Sequence, residues 1–484
     1  MKLKALFIIS VCLECLWSLS AFAQAPDSLW TRYFDNDDGE DYCFSIAETS
    51  DQGLICAGWS SVEDTLDRAV LIKTGVNGQP IWSRTYGRHH QITGVVQNPD
   101  GSYIVGGQVT TGSSGDFWMM KVSSSGDSLW SRTFGGGNWD TPYGIVRTAD
   151  GGYALFGNTN SFGAGEQDMW LIKTDANGGG LWSQTYGSDG YENGYRIAPM
   201  SDGGFILCGS TDSLAAWGEQ DAWLVRTDAF GDTLWTGAFG GQFGDMVFSA
   251  EQTMDGGVIA GGATTPFDGA EPDFFVVKTD ANGNGMWTRT FGGDGEDQCL
   301  QVRVLADGGY ILSGATQSSG TDYYQPWIIR LNADGDSLWS RVLRSDTNDV
   351  SYCGTLTSDG GYVLGCLRQR APVWDYDMAI TKLAPIPLGV DDQFILQPSS
   401  FTLSAYPNPF NPSTAIQFSL SRDDAVKLRV YDVNGRLVQT LLERTMPAGE
   451  HRVMFEAGNL PSGMYIARLE NSAMSKSQKL MLVK

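Results

Sequence analysis

Short runs of apolar and β-branched residues, each closed by turns rich in Gly, Asp or Asn, follow one another along most of the chain, and no useful length keeps a helical period. One stretch shows the grammar. Leu129-Trp130-Ser131-Arg132-Thr133-Phe134 predicts a short strand, ended by Gly135-Gly136-Gly137. Tyr143 to Thr148 predicts a second, which Asp150-Gly151-Gly152 turns into a third over Tyr153 to Asn158. A longer loop leads to a fourth, Met169 to Thr174, and Asp175-Ala176-Asn177-Gly178 turns back toward Trp182. Asp-Gly and Asn-Gly supply the positive φ that tight hairpins need. Met169–Ile172 and Trp223–Val225 are unbroken apolar runs, the pattern of strands covered on both faces.

This grammar returns at a nearly fixed interval. Trp30, Trp82, Trp130, Trp182, Trp235, Trp287 and Trp339 are spaced by 52, 48, 52, 53, 52 and 52 residues. A turn aspartate recurs in phase, at Asp51, Asp100, Asp150, Asp202, Asp255, Asp307 and Asp359. Such self-similarity means units that bury their apolar faces only by stacking on neighbours. Four short strands in about 50 residues fit a propeller blade, where a leucine-rich repeat is shorter and a helical repeat has a different period. The expectation is a seven-bladed β-propeller with the tryptophans between blades. The array opens on a tryptophan strand, Trp30–Phe34, and ends on Met378–Lys382 with no tryptophan strand after it. Pairing these two ends closes the ring and removes two exposed edges. One copy departs from the pattern, with Val342-Leu343-Arg344 where most others read Thr-Phe-Gly or Thr-Tyr-Gly.

Charge and cysteine usage place the protein. Lys2 and Lys4, the apolar stretch Ala5 to Leu19 and the small-x-small site Ala21-Phe22-Ala23 read as a signal peptide over residues 1–23. No later segment is apolar enough to cross a bilayer, so the mature chain is expected to lack a transmembrane segment. The chain carries −24, of which residues 1–23 hold +1 and residues 401–484 hold +3, leaving −28 on residues 24–400. That body repels nucleic acid and is compatible with divalent cations or neutral glycans as partners, a plain soluble exported surface being the other reading. Cys353 and Cys366 flank the turn at Asp359 symmetrically, so a regular hairpin sets them opposite each other; a disulfide is expected, two separate buried thiols being the alternative. Cys43, Cys56, Cys208 and Cys299 read as small core residues.

The chemistry-bearing residues are mostly carboxylates. Asp67, Asp116, Asp168, Asp221, Asp273 and Asp377 precede corresponding strands, with Gln325 in the remaining copy, and a residue so repeated reads as one that accepts loop N–H groups. The loops after the tryptophan strands differ between copies. Asp35, Asp37, Asp38, Glu40 and Asp41 crowd the first, Asp189 and Glu192 mark the fourth, and Asp294, Glu296 and Asp297 the sixth. In a propeller such loops share one rim, which makes Asp38, Glu40, Asp41, Asp294, Glu296 and Asp297 candidate calcium ligands, with solvated acidic loops as the other reading. Three histidines, no G-x-S-x-G motif and no phosphate-cradling loop leave nucleophilic, zinc and nucleotide chemistry without support. Paired rim carboxylates for glycoside cleavage remain open.

After Lys382 the texture changes. Pro385, Pro387 and Pro398 mark a linker over 385–404, and the segment 405–484 carries no blade signature. Val426 to Tyr431 alternates as a half-buried strand, Asn434-Gly435 is a hairpin turn, and Met464 to Leu469 is a further strand after Pro461-Ser462-Gly463. These suit a small immunoglobulin-like β-sandwich. The segment also contains Tyr406-Pro407-Asn408-Pro409-Phe410-Asn411-Pro412, then Val430-Tyr431-Asp432-Val433-Asn434-Gly435-Arg436, Gly463-Met464-Tyr465, and the closing Lys479 to Lys484. In these residues and their order it resembles the C-terminal sorting domain of type IX secretion. The resemblance implies a β-sandwich recognised by outer-membrane export machinery, with Tyr406, Pro407, Asn408, Pro409, Phe410, Asn411, Pro412, Asp432, Gly435, Arg436, Gly463, Tyr465 and Lys484 as motif residues, and a cargo released or held at the cell surface. The expectation for the whole chain is an all-β exported protein with its propeller over 24–384. Its function is expected to be non-enzymatic glycan or protein binding, the rival being a glycan-active hydrolase.

Overall fold

Seven four-stranded antiparallel sheets succeed one another along the first part of the chain. The computed structural model describes residues 25–387 and 403–483, apart from 36–38, 63–65, 214–219, 266–269, 371–374, 407, 409, 421–423, 433–435, 447–448, 459 and 471–474. The signal segment 1–23 and most of the expected linker therefore lie outside the described residues, as do Asp38, Pro407, Pro409, Gly435 and Lys484. No helix among the described residues is long and apolar enough to cross a membrane.

Each blade contributes strands a to d, from the axis outward. In blade 3 they are Asp140–Arg147, Tyr153–Thr159, Asp168–Thr174 and Gly180–Tyr186. Strands b and c are buried along their whole length, whereas strand d alternates toward solvent, which is why the c strands read as unbroken apolar runs. The a strands of successive blades lie against one another in a closed circuit, Asp41–Glu48 of blade 1 touching both His90–Gln97 of blade 2 and Asp349–Leu356 of blade 7.

The repeated landmarks have distinct physical roles. Each turn aspartate clasps a cation at the end of strand c of its own blade, buried in every blade but the second, where Lys121 is half-buried. Lys173 Nζ lies 2.8 Å from Asp150, Lys73 3.0 Å from Asp51, Lys382 2.7 Å from Asp359 and Arg330 2.5 Å from Asp307. The Lys173 hydrogen bond, helped by Thr148, holds the Asp150 carboxyl down at about 2. Six of the strand d tryptophans lie half-buried over the c–d turn of the next blade, whereas Trp339 is buried in a cluster with Leu383 and Ile386 of blade 7. A glycine is required at that turn both by its φ of 77° at Gly178 and by the Trp130 ring, which a Cβ there would meet at 2.7 Å.

Blade 7 joins the two ends of the array. Its a, b and c strands are Asp349–Leu356, Tyr362–Arg370 and Asp375–Leu383, and its d strand is the N-terminal Ser28–Phe34, which pairs with strand c from Ser28↔Leu383 to Phe34↔Met378. Trp30 then covers Gly78 of blade 1, so the closing seam repeats the contact made at the seams from blade 1 through blade 6. The ring closes as the sequence predicts.

The cysteine geometry differs from expectation. Strand a of blade 7 carries a β-bulge between Ser351 and Cys353, which shifts the register so that Cys353 pairs with Gly365 and Cys366 with Ser351. The symmetric count from Asp359 assumed an unbroken ladder, and one extra residue in strand a displaces the pair. The structure contains no disulfide among the six described cysteines.

The C-terminal segment forms two sheets, one of three strands and one of four, over a shared core that includes Phe410, Phe418, Phe455, Val430 and Tyr465. This is the expected sandwich. A variant lacking residues 24–36 is expected to expose the c-strand edge of blade 7 and to associate or unfold at lower temperature. Size-exclusion chromatography with thermal unfolding checks this, and a monomer of unchanged melting temperature would refute the closure.

Candidate functional site

Four features outside the blade cores carry chemistry. The first is the sorting segment. Asn408 clasps the last strand, Ser475–Leu482, by donating from Nδ2 to the Lys479 carbonyl at 2.7 Å and accepting from Met481 N–H at 2.7 Å. Phe410 is buried beside that strand, with backbone bonds to Met481 and Val483. Asp432 accepts from Arg436 N–H at 2.9 Å, closing the hairpin, and Tyr465 donates to the Pro461 carbonyl at 2.8 Å. The described motif residues thus hold the C-terminal strand in its sheet. Asn411-Pro412 places the Pro412 carbonyl where Ala457 N–H donates to it, and Gly463 starts the strand Gly463–Glu470.

The acidic rim behaves differently from a single convergent site. Asp140, Glu192, Asp245 and Asp297 begin a strands, and each accepts an N–H of the preceding loop, from Gly136, Ser188, Gly241 and Gly293 at 2.6–3.1 Å. Asp168 likewise accepts from Ala164 and Gly165, the role its repetition suggested. Asp67 falls one residue out of phase, because register places Arg68 opposite Ser60 where Asp168 faces Thr159.

These acids meet in pairs at the blade seams. Asp273 of blade 5 faces Asp297 of blade 6, and burial followed by the Asp297 charge pushes the Asp273 carboxyl up to about 6. Gly292 lies over the pair, where a Cβ would come within 1.9 Å of Asp273 and 2.6 Å of Asp297. Asp116 is likewise raised by burial and then by Asp140.

The calcium candidates are therefore dispersed. Glu40 accepts from Tyr42 OH at 3.2 Å, and Glu296 accepts from Tyr324 OH and Gln298 Nε2. Asp294 is exposed, and Asp297 is buried at its seam. Among the described residues, three carboxylates come within 4.8 Å of one another only at Asp35, Asp41 and Asp377. Arg370 is inserted there, 3.0 Å from Asp35 and 3.2 Å from Asp377, so this donor set is an ion-pair network and does not fit a divalent cation.

The third feature is axial, and sequence reasoning missed it. Every a strand bulges at one position, which falls on Phe44, Thr93, Tyr143, Tyr195, Phe248, Leu300 and Tyr352. None is fully buried, and together they form a collar around the inner ring of strands. Phe44 and Tyr352 lie 5.3 Å apart between centroids, Tyr143 and Tyr195 5.9 Å, and Tyr195 and Phe248 5.1 Å. Just past the Tyr195 bulge stands Arg196. Its guanidinium makes no ion pair among the described residues, its Nε is buried without a hydrogen-bond partner, and burial followed by the like charge of Arg303 lowers its pKa. Arg303 itself lies 4.0 Å from Glu251. An aromatic residue at one phase of the repeat was the signal available in the sequence.

The fourth feature lies at the departure Val342-Leu343-Arg344. Strand c of blade 7 has Ala379 where blades 2, 3, 4 and 6 have Trp118, Trp170, Trp223 and Trp327. The missing ring opens a cavity of about 950 Å³ between blades 6 and 7, lined by Arg341, Arg344, Arg368 and Arg370 among others. Each of these arginines already has a protein partner: Asp27, the Ser319 carbonyl, Asp349 and Asp377.

Replacing Asp273 by Asn tests the seam pairing. With a folded pKa of about 6 against an ordinary value near 4, the folded state binds the extra proton between those values, so wild-type stability falls as pH rises through that window. Asp273→Asn is expected to be more stable than wild type at pH 7, by about 1 kcal/mol once half-exposure is discounted, and equal at pH 4. Denaturant unfolding at the two pH values measures the gap.

Comparison with known proteins bears on the two parts unequally. Residues 404–484 match the family described as the secretion system C-terminal sorting domain. Among curated proteins, the regulatory protein FlaEY of Caulobacter vibrioides is 26% identical over 204 residues, covering 36% of this chain and 21% of its own length, so the chain spans about a fifth of that relative. Among solved structures, PorZ, a surface component of the type IX secretion system of Porphyromonas gingivalis, is 12% identical, with 93% of this chain and 60% of that one covered at a TM-score of 0.41. The polysaccharide lyase Uly1 is 11% identical, with 72% and 91% covered at a TM-score of 0.48. Neither likeness carries an argument about ligand or activity. The C-terminal segment of this seven-bladed propeller protein is a type IX secretion sorting domain, and the chain is accordingly a cargo secreted or attached at the outer surface.

Proposed function

We propose that the protein is a non-enzymatic, surface-delivered glycan-binding module whose site is the axial collar. The observation that carries this reading is the ring of bulged residues, five of them aromatic, on the inner strands of all seven blades. Aromatic faces held on a rigid ring offer apolar surface with little ordering cost, the usual lining of a small-ligand site. Sugar rings present C–H faces that stack on such surfaces. Arg196, a cation without a carboxylate partner among the described residues, adds recognition of an acidic substituent, in a body whose net charge repels extended polyanions. The collar has no carboxylate pair of its own, which favours binding over cleavage.

Screening the mature propeller against neutral and uronate-bearing oligosaccharides tests this. Tyr143→Ala and Tyr195→Ala are each expected to weaken the selected glycan about tenfold, which is about 1.4 kcal/mol. Arg196→Gln is expected to affect only acidic ligands. Unchanged affinity in all three variants, or binding only to a protein partner, would remove the glycan reading, and turnover of a bound glycan would favour the hydrolase.

Delivery is tested separately. Removing residues 405–484 is expected to leave the propeller folded and retained in the periplasm, because sorting depends on a module with its own core. Fractionation of cells producing the two forms checks this, and surface delivery of the shortened chain would refute it.

A further inference from the structure

We propose that Cys43 and Cys353 are joined by a disulfide in the exported protein, a covalent staple between the inner strands of the first and last blades. Their sulfurs lie 3.9 Å apart although the residues are 310 positions apart in sequence. Both side chains are buried, and both sulfurs converge over Gly365, where a Cβ would stand 2.6 Å from Cys353 Sγ and 2.8 Å from Cys43 Sγ. The bare glycine is what gives the two sulfurs room to meet.

Position in the ring gives the pair its meaning. The chain runs without a break from each blade into the next, and the array is closed by non-covalent contacts, the Ser28–Phe34 strand zipped onto strand c of blade 7 and the packing of blade 7 on blade 1. A bond between Cys43 and Cys353 would bypass that joint and make the circuit covalent. No other seam has the pair: between blades 5 and 6, Cys299 occupies the place equivalent to Cys43, but Ser249 occupies that of Cys353. Cys208 and Cys299 instead lie against backbone carbonyls of their own blades, those of Arg196 and Gln301.

The reaction is thiol–disulfide exchange with a protein disulfide oxidant of the exporting compartment. One cysteine thiolate attacks the oxidant's disulfide and expels one of its sulfurs as a thiolate. The second cysteine thiolate then attacks the mixed disulfide and expels the other. The two cysteines lose two protons and two electrons, and the oxidant leaves as a dithiol. In the closed ring the Cys353 thiol is pushed well above its ordinary range by its contact with Cys43 and by burial, so exchange takes place before the seam closes or during its opening. Once formed, the bond is shielded from reductants by the same burial.

The test is to unfold the mature full-length protein in alkylating reagent without reductant and map its peptides by mass spectrometry. A linked Cys43–Cys353 peptide is expected, with Cys56, Cys208, Cys299 and Cys366 alkylated. Alkylation of all six cysteines, or a link from Cys43 to Cys56, would overturn the proposal. Cys43→Ser and Cys353→Ser supply a second readout, and both are expected to fold, since Ser351 and Ser249 fill the equivalent places in blades 7 and 5 fully buried. The single and double variants are expected to lose the same several degrees of melting temperature, and wild type reduced while unfolded and refolded in reductant is expected to match them. Single losses that add in the double variant would show independent packing roles and overturn it.

Discussion

Each blade is a sheet that is apolar on both faces, and no isolated blade can satisfy that condition. Every b and c strand therefore needs a neighbour on each side, and only a closed ring leaves no face uncovered. The rest of the architecture follows from this need for mutual cover. Bulky residues such as Trp170 reach back to the preceding blade, where the ring meets Phe117 at 4.9 Å. Six of the strand d tryptophans reach forward over the next blade's turn. The polar ends of the strands are held by a buried lysine or arginine against a turn aspartate, so a charge-bearing turn can close directly over an apolar sheet.

What the sequence made legible was whatever the repeat forces to be identical. The tryptophan and the turn aspartate recur because every blade needs the same seam contact and the same clasp, and from their spacing the blade count and the closing strand could be read. The sorting segment was legible for a similar reason: Asn408, Phe410 and Asp432 hold local geometry that few other residue types can hold. What escaped was anything set by register. A hairpin counted outward from Asp359 puts Cys353 opposite Cys366, yet the bulge on strand a moves them apart and turns Cys353 toward another blade. The axial collar escaped for the same reason, because residues such as Tyr143 and Phe248 gain a shared direction only through that bulge.

The acidic loops show how a rim of like charge can be read wrongly from composition. Seen as a list, Asp294, Glu296 and Asp297 suggest one cluster of ligands. In the fold, one is solvated, one is turned to Tyr324 and Gln298, and one is buried at a seam beneath a glycine. Carboxylates that begin strands are drawn to loop N–H groups, and this local demand disperses them before any ion can gather them. The cost falls on pairs such as Asp273 and Asp297, where two acids share a half-dry space and one holds its proton to a higher pH.

Blade 7 is where these constraints conflict most. It is assembled from both ends of the array, so its outer strand is the first propeller segment made and cannot dock until the last is in place. It is also the least regular blade: Ala379 stands in place of a large ring, arginines line the resulting cavity, and the clasp of Lys382 on Asp359 is the last of the series. Its seams carry the same polar contacts as the others, with Ser358 bonded to Glu48 of blade 1 as Ser50 is to Gln97, and Arg341 reaching the Pro26 carbonyl as Arg289 reaches that of Asp334. Polar bonds at an exposed seam are individually weak because water competes for them. Closure therefore depends on many of them forming together with the single strand that completes the sheet.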